Sequence, residues 1–191
     1  LHAQGEWGAG AGARAATLLG VFIGTGVGGA YLQRGTPMRG ASGGAAEVGH
    51  LPVLGHGRRC VCGNLDCVEA YACGGVLAQL AESYDTDVAK IWAETPAPAL
   101  TEELALFVEA LGRGLAAAVN MLDPHVLVIG GGVPAMTGFP RQALVAALHA
   151  HLRRPVPADH VIISFAVLGE SAALHGARCR PAATPDNGET T

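Results

Sequence analysis

The chain has 191 residues, of which 50% are hydrophobic and 15% charged; this excludes a disordered protein and is enough for a sizeable core. Twelve basic against sixteen acidic residues give a net charge of −4 without a basic run, so we expect no nucleic-acid partner for this chain. Apolar runs such as residues 126–129 are too short to cross a bilayer, and residues 1–12 lack a secretory signal pattern, so we expect no membrane association.

The first predicted element is a β-hairpin. Residues 18–23 and residues 30–32 are apolar runs of strand length on either side of a glycine-rich turn. The turn begins with Gly24, Thr25 and Gly26, whose backbone N–H groups and hydroxyl can approach a phosphate closely. A tight hairpin turn without a ligand explains the same residues, so this motif alone does not define a nucleotide site.

The next segment carries a ligand set with metal-site spacing. His50, Cys60, Cys62 and Cys67 follow one another in the order H-x9-C-x-C-x4-C. Zinc prefers four tetrahedral N or S ligands, and four protein ligands leave no open position for chemistry, so the pattern predicts a structural zinc loop. The alternative is a set of unrelated cysteines, two of them paired, but C-x-C spacing is poor for a disulfide. Zinc-bound thiolates fit a reducing cytoplasm, which is the predicted location.

The rest of the sequence alternates helical and strand patterns, which indicates the α/β class. Helical periodicity follows Cys67, and a long amphipathic helix is predicted to begin at Thr101, an N-cap residue followed by two acids. A polar tail over residues 180–191 is predicted to be disordered. The elements predicted after the long helix are a strand over residues 125–129, a helix over 140–152, a strand over 161–164 and a helix over 170–177.

A second glycine cluster, residues 130–132, ends the strand predicted over residues 125–129. A lone cluster of this kind is more often a strand-to-helix junction than a nucleotide pocket. Neither glycine cluster matches a Walker-type phosphate loop or a Rossmann fingerprint. The residues alone therefore predict a zinc-stabilised α/β domain with an unidentified ligand.

Four motifs, taken together, resemble those of the ROK family of bacterial sugar kinases and transcriptional repressors. Residues 47–50 resemble its E-x-G-H motif, and residues 60–69 resemble its C-x-C-G-x-x-G-C-x-E zinc signature. Residues 21–30 resemble its phosphate-binding hairpin, and residues 126–133 its adenosine-side strand and glycines. The resemblance extends over nearly all of the chain to Ala177.

This resemblance implies an actin-like, hexokinase-like (ribonuclease H-like) ATPase-domain fold of the α/β class, with ATP and sugar in a cleft between two lobes. Residues 1–179 would form the C-terminal lobe, with a zinc loop inserted over residues 50–69, and the N-terminal lobe would lie outside the chain. The resemblance also suggests a homodimer built partly from this lobe.

The resemblance implies roles for individual residues as well. Glu47, His50 and Glu69 would hydrogen-bond sugar hydroxyls, while the other imidazole nitrogen of His50 binds zinc. The alternatives are a solvated side chain for Glu47 and a helix N-terminal acid for Glu69. Mg²⁺ would accompany ATP. The remaining implied contacts are those of Gly24, Thr25 and Gly26 with the ATP phosphates and of Gly131 and Gly132 with the adenosine.

The sequence departs from the family pattern at two places. Asp66 occupies the second glycine position of the zinc signature, and Asp is among the few residues that tolerate a left-handed backbone there. The residues from Leu1 to Trp7 resemble the helix immediately after the family's general-base aspartate. We therefore expect that aspartate upstream of Leu1, no catalytic residue within this chain, and no turnover by the chain alone.

The leading functional prediction is ATP-dependent phosphorylation of an aldohexose, with glucose favoured, at its 6-hydroxyl. One alternative is the sugar-sensing effector domain of a ROK repressor. Others are a kinase for N-acetylglucosamine or N-acetylmannosamine and a short non-catalytic relic that binds zinc and sugar only. The phosphate-competent turn at Gly24, Thr25 and Gly26 favours the kinase, because a repressor has no need of it.

Overall fold

A single five-stranded sheet forms the centre of the computed structural model, which describes residues 1–92 and 97–179. The tail predicted to be disordered, residues 180–191, lies outside the described residues. The strands are β1 (Thr17–Ile23), β2 (Val27–Gln33), β3 (Thr36–Pro37), β4 (Val126–Gly130) and β5 (Ile162–Phe165). The helices are α1 (His2–Ala9), α2 (Gly74–Ser83), α3 (Pro98–Leu122), α4 (Arg141–His151) and α5 (Ala172–Arg178).

The strand order is β3-β2-β1-β4-β5. β1 pairs with β2 in the antiparallel sense, as the hairpin prediction requires, whereas β1 with β4 and β4 with β5 are parallel. Phe22 on β1 lies opposite Gly130 on β4. The carboxyl ends of β1 and β4 therefore meet at one edge of the sheet, and the glycine clusters that follow the two strands emerge side by side.

Helices cover both faces of the sheet. Successive side chains on a strand point to opposite faces, so β1 contributes Leu19 to one buried cluster and Leu18 to another. The larger cluster contains residues of α2, α3 and α4, and the smaller one contains Ala3 of α1 and Val128 of β4. The predicted α/β class is confirmed, with a mixed sheet between two helical layers.

Two helix starts differ from the sequence prediction. After the cysteine segment the chain forms a 3-10 turn at Val68–Ala70, and α2 begins only at Gly74. The Gly74 amide donates to the Gly24 carbonyl at 2.6 Å, so this backbone is fastened to the hairpin turn at the place where a continuous helix was predicted. The last helix also begins later than residue 170, at Ala172, after a 3-10 turn at Gly169–Ser171.

The long helix α3 begins before the predicted N-cap residue. Pro98 occupies the first turn, where its missing N–H costs no hydrogen bond, and the Thr101 hydroxyl donates to the Ala97 carbonyl at 3.1 Å from inside the helix. At its other end Asp123 adopts a left-handed conformation with φ 43°, and its amide donates to the Val119 carbonyl. The αL cap ends the helix where the Asp-Pro pair predicted it.

Among the helices that the structure describes, α3 alone is long and apolar enough to cross a membrane, with 25 residues. Most of its apolar side chains, however, lie in the larger core cluster, where Phe107, Leu111 and Leu115 are fully buried. The core of this fold therefore accounts for the apolarity of α3.

The contact between α3 and α4 includes a carboxylate that we expect to make stability depend on pH. Glu109 Oε1 accepts from Arg113 Nε at 2.6 Å and lies 3.0 Å from His151 Nε2 at the end of α4. The Arg113 hydrogen bond, with His151 as a further contributor, holds the pKa of Glu109 below its usual range. A depressed pKa stabilises the fold above the carboxyl's unfolded pKa of about 4.3, and this contribution is lost as the pH falls through the folded value.

We therefore predict that the Glu109→Gln variant loses less thermal stability than the wild type when the pH falls from about 6 to about 3. The lower limit lies about one unit below the pKa of glutamate in the unfolded chain. Thermal unfolding followed by circular dichroism at several pH values measures the difference. Glu102→Gln, which removes an exposed carboxylate from the same helix, serves as the control and should follow the wild type. Equal pH slopes for the wild type and Glu109→Gln would contradict the prediction.

Candidate functional site

The four sequence-predicted metal ligands lie together. One nitrogen of His50 and the sulfurs of Cys60, Cys62 and Cys67 are all within 4.8 Å of one another. Cys60 Sγ lies 3.6 Å from His50 Nδ1, and Cys62 Sγ lies 3.7 Å from Cys67 Sγ. Zinc bonds of about 2.0 Å to nitrogen and about 2.3 Å to sulfur place tetrahedral ligands about 3.5–3.8 Å apart. The donor set and its spacing therefore fit a tetrahedral ion.

Backbone hydrogen bonds fold the loop into this arrangement. Arg59 pairs with Leu65 as an isolated antiparallel bridge, and the Cys60 amide donates to the Asn64 carbonyl at 2.8 Å. Gly63 has φ 94°, a left-handed conformation that suits glycine, and its amide donates to the Cys60 carbonyl at 3.0 Å. The tight turn at Gly63 and Asn64 reverses the chain, as the sequence predicts, so that cysteines on both sides of it face one point.

The thiols differ in how easily they lose a proton. Burial, followed by hydrogen bonds with Cys62 and Cys60, raises the pKa of Cys67 to about 12. At the exposed Cys62, a hydrogen bond from the Asn64 backbone amide lowers the thiol pKa. Metal ligands bind as thiolates, so a bound ion must displace the Cys67 proton, and zinc uptake by this loop releases protons.

Asp66, at a glycine position of the zinc signature, has a left-handed backbone with φ 61°, the conformation that the sequence analysis expects Asp to tolerate there. Its carboxylate accepts from the Tyr71 hydroxyl and, at 3.0 Å, from the Arg58 amide. The Tyr71 hydrogen bond is the largest cause of a lowered pKa for Asp66. Arg58 in turn lies 4.6 Å above the Tyr71 ring and donates to Glu103 of α3 at 2.6 Å. Through Arg58, the aspartate at this glycine position thus connects the loop to α3.

The residues proposed for sugar contact lie next to the metal ligands. The Val68 amide donates to the Leu51 carbonyl at 2.9 Å, which places His50 beside Glu69 across one backbone hydrogen bond. Glu47 is exposed and precedes the 3-10 turn that ends at His50, so the two side chains are one turn apart. With Nδ1 of His50 directed to the sulfurs, Nε2 is the ring nitrogen left for another partner.

Glu69 connects this cluster to the glycine hairpin. Its Oε2 accepts from the Val27 amide at 2.7 Å, and a side chain at Gly26 would collide with the same oxygen. Glu69 lies in the 3-10 turn before α2 and not at the N-terminus of α2, so the helix-capping alternative does not describe its contacts. Within the described part of the chain, Oε1 of Glu69 makes no hydrogen bond and is available to a ligand.

The two glycine clusters are joined at the sheet edge. The Val133 amide donates to the Ile23 carbonyl at 3.1 Å, and Gly131, with φ 99°, lies so close that a side chain there would collide with the same carbonyl. By contrast, a Cβ atom at Gly24 or Gly132 would have no atom within 4 Å apart from those of its chain neighbours. Open space therefore faces both turns at the point where they adjoin.

A cavity of about 310 Å³ opens at this edge and includes residues that the sequence analysis missed. Arg141 forms part of its wall; its guanidinium lies 4.7 Å above the Phe165 ring and donates to the Pro134 carbonyl at 3.0 Å. Parallel pairing of β4 with β5 brings these distant segments together, and nothing in their local sequence marks them. Other lining residues are His2, Phe22, Ile129, Gly130, Gly131, Gly132, Ala135, Ala166, Gly169 and Glu170.

A sequence profile described as the ROK family matches residues 1–179, that is, all of the described structure. The chain belongs to the ROK family. The N-acetyl-D-glucosamine kinase of Pasteurella multocida is 31% identical in an alignment that covers 84% of this chain and 57% of the relative. A glucokinase of Halalkalibacterium halodurans is 32% identical in an alignment that covers 92% of this chain and 59% of the relative. The chain thus spans somewhat more than half of the curated relatives that it matches.

Solved ROK structures have the same fold. A ROK family glucokinase from Streptomyces griseus, solved with glucose and AMPPNP, has a TM-score of 0.76 and 27% identity, covering 92% of this chain and 64% of that one. A ROK family transcriptional regulator homologous to the E. coli MLC protein has a TM-score of 0.77 at 20% identity, covering 92% and 48% respectively. The regulator shows the fold alone. The predicted actin-like ATPase fold is therefore confirmed at the level of fold class.

Proposed function

We propose that this chain is the C-terminal lobe of a ROK sugar kinase that transfers the γ-phosphoryl group of Mg-ATP to the 6-hydroxyl of an aldohexose. The observation that carries the proposal is the pair of open glycine turns at the carboxyl ends of β1 and β4, next to a cavity. Backbone amides at such turns suit phosphates, and the bare glycines admit them closely. Glucose bound with AMPPNP in the Streptomyces griseus relative supports the same assignment of ligands.

Each part of the site has a role in this proposal. The hairpin residues Gly24, Thr25 and Gly26 receive the ATP phosphates, with the Thr25 hydroxyl as an additional donor. Adenosine lies in the cavity against Gly131 and Gly132. Glu69 also accepts from the Val27 amide, so the residues proposed for the sugar and the turn proposed for the phosphates are connected. This connection supports a sugar hydroxyl held near the γ-phosphate.

Glu47, His50 and Glu69 orient the sugar by accepting from or donating to its hydroxyls. The loop formed by His50, Cys60, Cys62 and Cys67 would hold a structural zinc ion, which fixes the orientation of the His50 ring. With four protein ligands the metal supplies no open coordination position to the reaction. Thiolate ligands of this kind favour a reducing compartment, so we place the protein in the cytoplasm.

The proton of the attacking hydroxyl needs a general base, and we assign that role to an aspartate upstream of Leu1. α1, whose sequence resembles the helix after that aspartate, begins beside the cavity: His2 lines it, and its ring lies 5.3 Å from the Phe22 ring at an angle of 48°. A base immediately before Leu1 would thus lie close to the nucleotide cavity. In this proposal the described residues bind and orient the substrates, and the upstream aspartate takes the proton.

N-acetylglucosamine is the second candidate substrate, because the Pasteurella multocida relative that acts on it is about as similar as the glucokinase. The effector domain of a repressor is the alternative from another class, and the regulator structure supports it through the fold alone.

Calorimetric titration of the chain with Mg-AMPPNP tests the proposal, followed by glucose and N-acetylglucosamine in separate titrations. We expect saturable binding of the nucleotide at one site per chain. Absence of nucleotide binding would contradict the kinase proposal and favour the repressor alternative. Sequencing the coding DNA upstream of Leu1 distinguishes the kinase from the repressor independently. The kinase requires an Asn-Asp pair just before this residue, whereas the repressor requires a basic helix-turn-helix segment.

A further inference from the structure

Glu6 on α1 is a buried charge for which the proposed mechanism has no use. Among residues 1–92 and 97–179 it is the one buried polar or charged residue, with 0% of its surface exposed. A buried carboxylate is costly unless its oxygens are hydrogen-bonded. Apolar packing would hold α1 at the same position without that cost, so the contacts of this carboxylate call for a specific explanation.

The carboxylate accepts three backbone hydrogen bonds and, within residues 1–92 and 97–179, contacts no cationic side chain. Its Oε1 accepts from the Val167 amide at 3.1 Å and from the Leu168 amide at 2.9 Å, and its Oε2 accepts from the Ala11 amide at 2.7 Å. All three partners are donors, which suits the ionised form because a carboxylate only accepts. A glutamine would place its NH₂ group against at least one of these donors.

The partners of Glu6 lie between residues that form the cavity wall. Val167 and Leu168 separate Ala166 from Gly169 and Glu170, which line the cavity. His2, at the start of α1, lines the same cavity. Glu6 therefore ties the helix that carries one lining residue to the loop that carries three others, across 161 positions of sequence.

We propose that Glu6 is a positioning residue of the nucleotide pocket: its carboxylate holds the loop of residues 166–171 against α1 and so fixes the positions of His2 and Glu170 in the cavity lining relative to each other. The inference rests on the proposed function, since it takes the occupant of the cavity to be a nucleotide. It also couples the nucleotide pocket to the start of α1, where the general base is proposed.

The test is the affinity of the chain for Mg-AMPPNP, measured by calorimetry, together with amide hydrogen exchange of the Val167 and Leu168 N–H groups. In Glu6→Gln we expect an at least tenfold weaker affinity and faster exchange of these two amides. Gly10→Ala provides a second variant, because a side chain at Gly10 would collide with Glu6 Oε2 and displace the carboxylate while leaving it in the protein. The same two changes are expected there.

Two control variants separate positioning from general loss of stability. Leu111→Ala truncates a fully buried side chain of α3 on the opposite face of the sheet, so it should lower the melting temperature without weakening nucleotide affinity. Glu102→Gln removes an exposed carboxylate and should change neither quantity. An unchanged affinity in Glu6→Gln, or an equal loss in Leu111→Ala, would overturn the positioning role. Failure of the wild-type chain to bind Mg-AMPPNP would instead contradict the proposed function, and the positioning role with it.

Discussion

Replacing Cys62 with serine should abolish stoichiometric zinc binding and lower the free energy of unfolding by more than about 4 kcal/mol, a loss typical of a missing structural metal. The reason is that, in the proposed zinc loop, the ion and not packing would hold the four donor side chains together. Cys62 is exposed, and substitutions at exposed positions usually change stability by less than about 0.5 kcal/mol. A large loss at this position therefore requires a metal. Elemental analysis of the purified chain and chemical denaturation measure the two quantities.

The matched control is Cys179→Ser. Cys179 is half-buried and donates to the Gln4 carbonyl at 3.4 Å, outside the donor set, so zinc content should remain at one ion per chain. A strong chelator should reproduce the effect of Cys62→Ser in the wild type and add little in the variant, because both remove the same ion. Loss of hydrogen-exchange protection should be confined to residues 50–69 and their contacts with α3. Unchanged unfolding after verified metal removal would exclude a structural ion.

Local spacing made the convergence of the four candidate metal ligands predictable from the sequence. The four ligands lie within eighteen residues, and Gly63 and Asn64 between them are typical turn formers, so their convergence needs no information about the rest of the fold. The left-handed backbone of Asp66 was predictable for the same reason. Its partners Arg58 and Tyr71 were not, because the hydrogen bonds depend on how the whole loop is folded.

The cavity was predictable only in part, because half of its wall comes from long-range pairing. Glycines after strands β1 and β4 are visible in the sequence, but the strand order that makes β5 the neighbour of β4 is a property of the complete sheet. Arg141, Phe165 and Glu170 enter the cavity through that order. Glu6 is the clearest case, since a glutamate in a short polar helix gives no sign that its partners lie near residue 167.

The helix starts were mispredicted where tertiary hydrogen bonds replace local preference. The apolar pattern after Cys67 is helical, yet the amides of Gly74 and Gly75, the first two residues of α2, donate to the carbonyls of Gly24 and Thr25 in the hairpin turn. These bonds place the α2 N-terminus against the turn and leave a 3-10 turn in front of it. The apolar pattern shows which face of a helix is buried, but it carries no information about tertiary hydrogen bonds that compete with the local helical preference.

Valine at Gly132 or at Gly24 should eliminate nucleotide binding and leave the fold intact. Neither glycine has a left-handed φ, and apart from its chain neighbours a Cβ atom at either position would have no protein atom within 4 Å, so the native backbone accepts the substitution. The space that the new side chain enters is the space proposed for ATP. We expect the affinity for Mg-AMPPNP to fall at least 100-fold, about 2.7 kcal/mol, with a change in unfolding free energy below about 0.5 kcal/mol.

Substitutions at two further glycines serve as controls for this prediction. Gly55 lies in the segment of residues 50–69 but is not one of its four candidate ligands. It also faces open space without a left-handed φ, so Gly55→Val should change neither stability nor nucleotide affinity. Gly131 is the opposite case: with φ 99° and the Ile23 carbonyl against it, Gly131→Ala should destabilise the fold itself. Retained affinity in folded Gly132→Val and Gly24→Val would exclude these turns as the phosphate and adenosine site. Because an empty hairpin turn and a phosphate turn have the same backbone, only a variant that occupies the ligand's space without touching the protein distinguishes them.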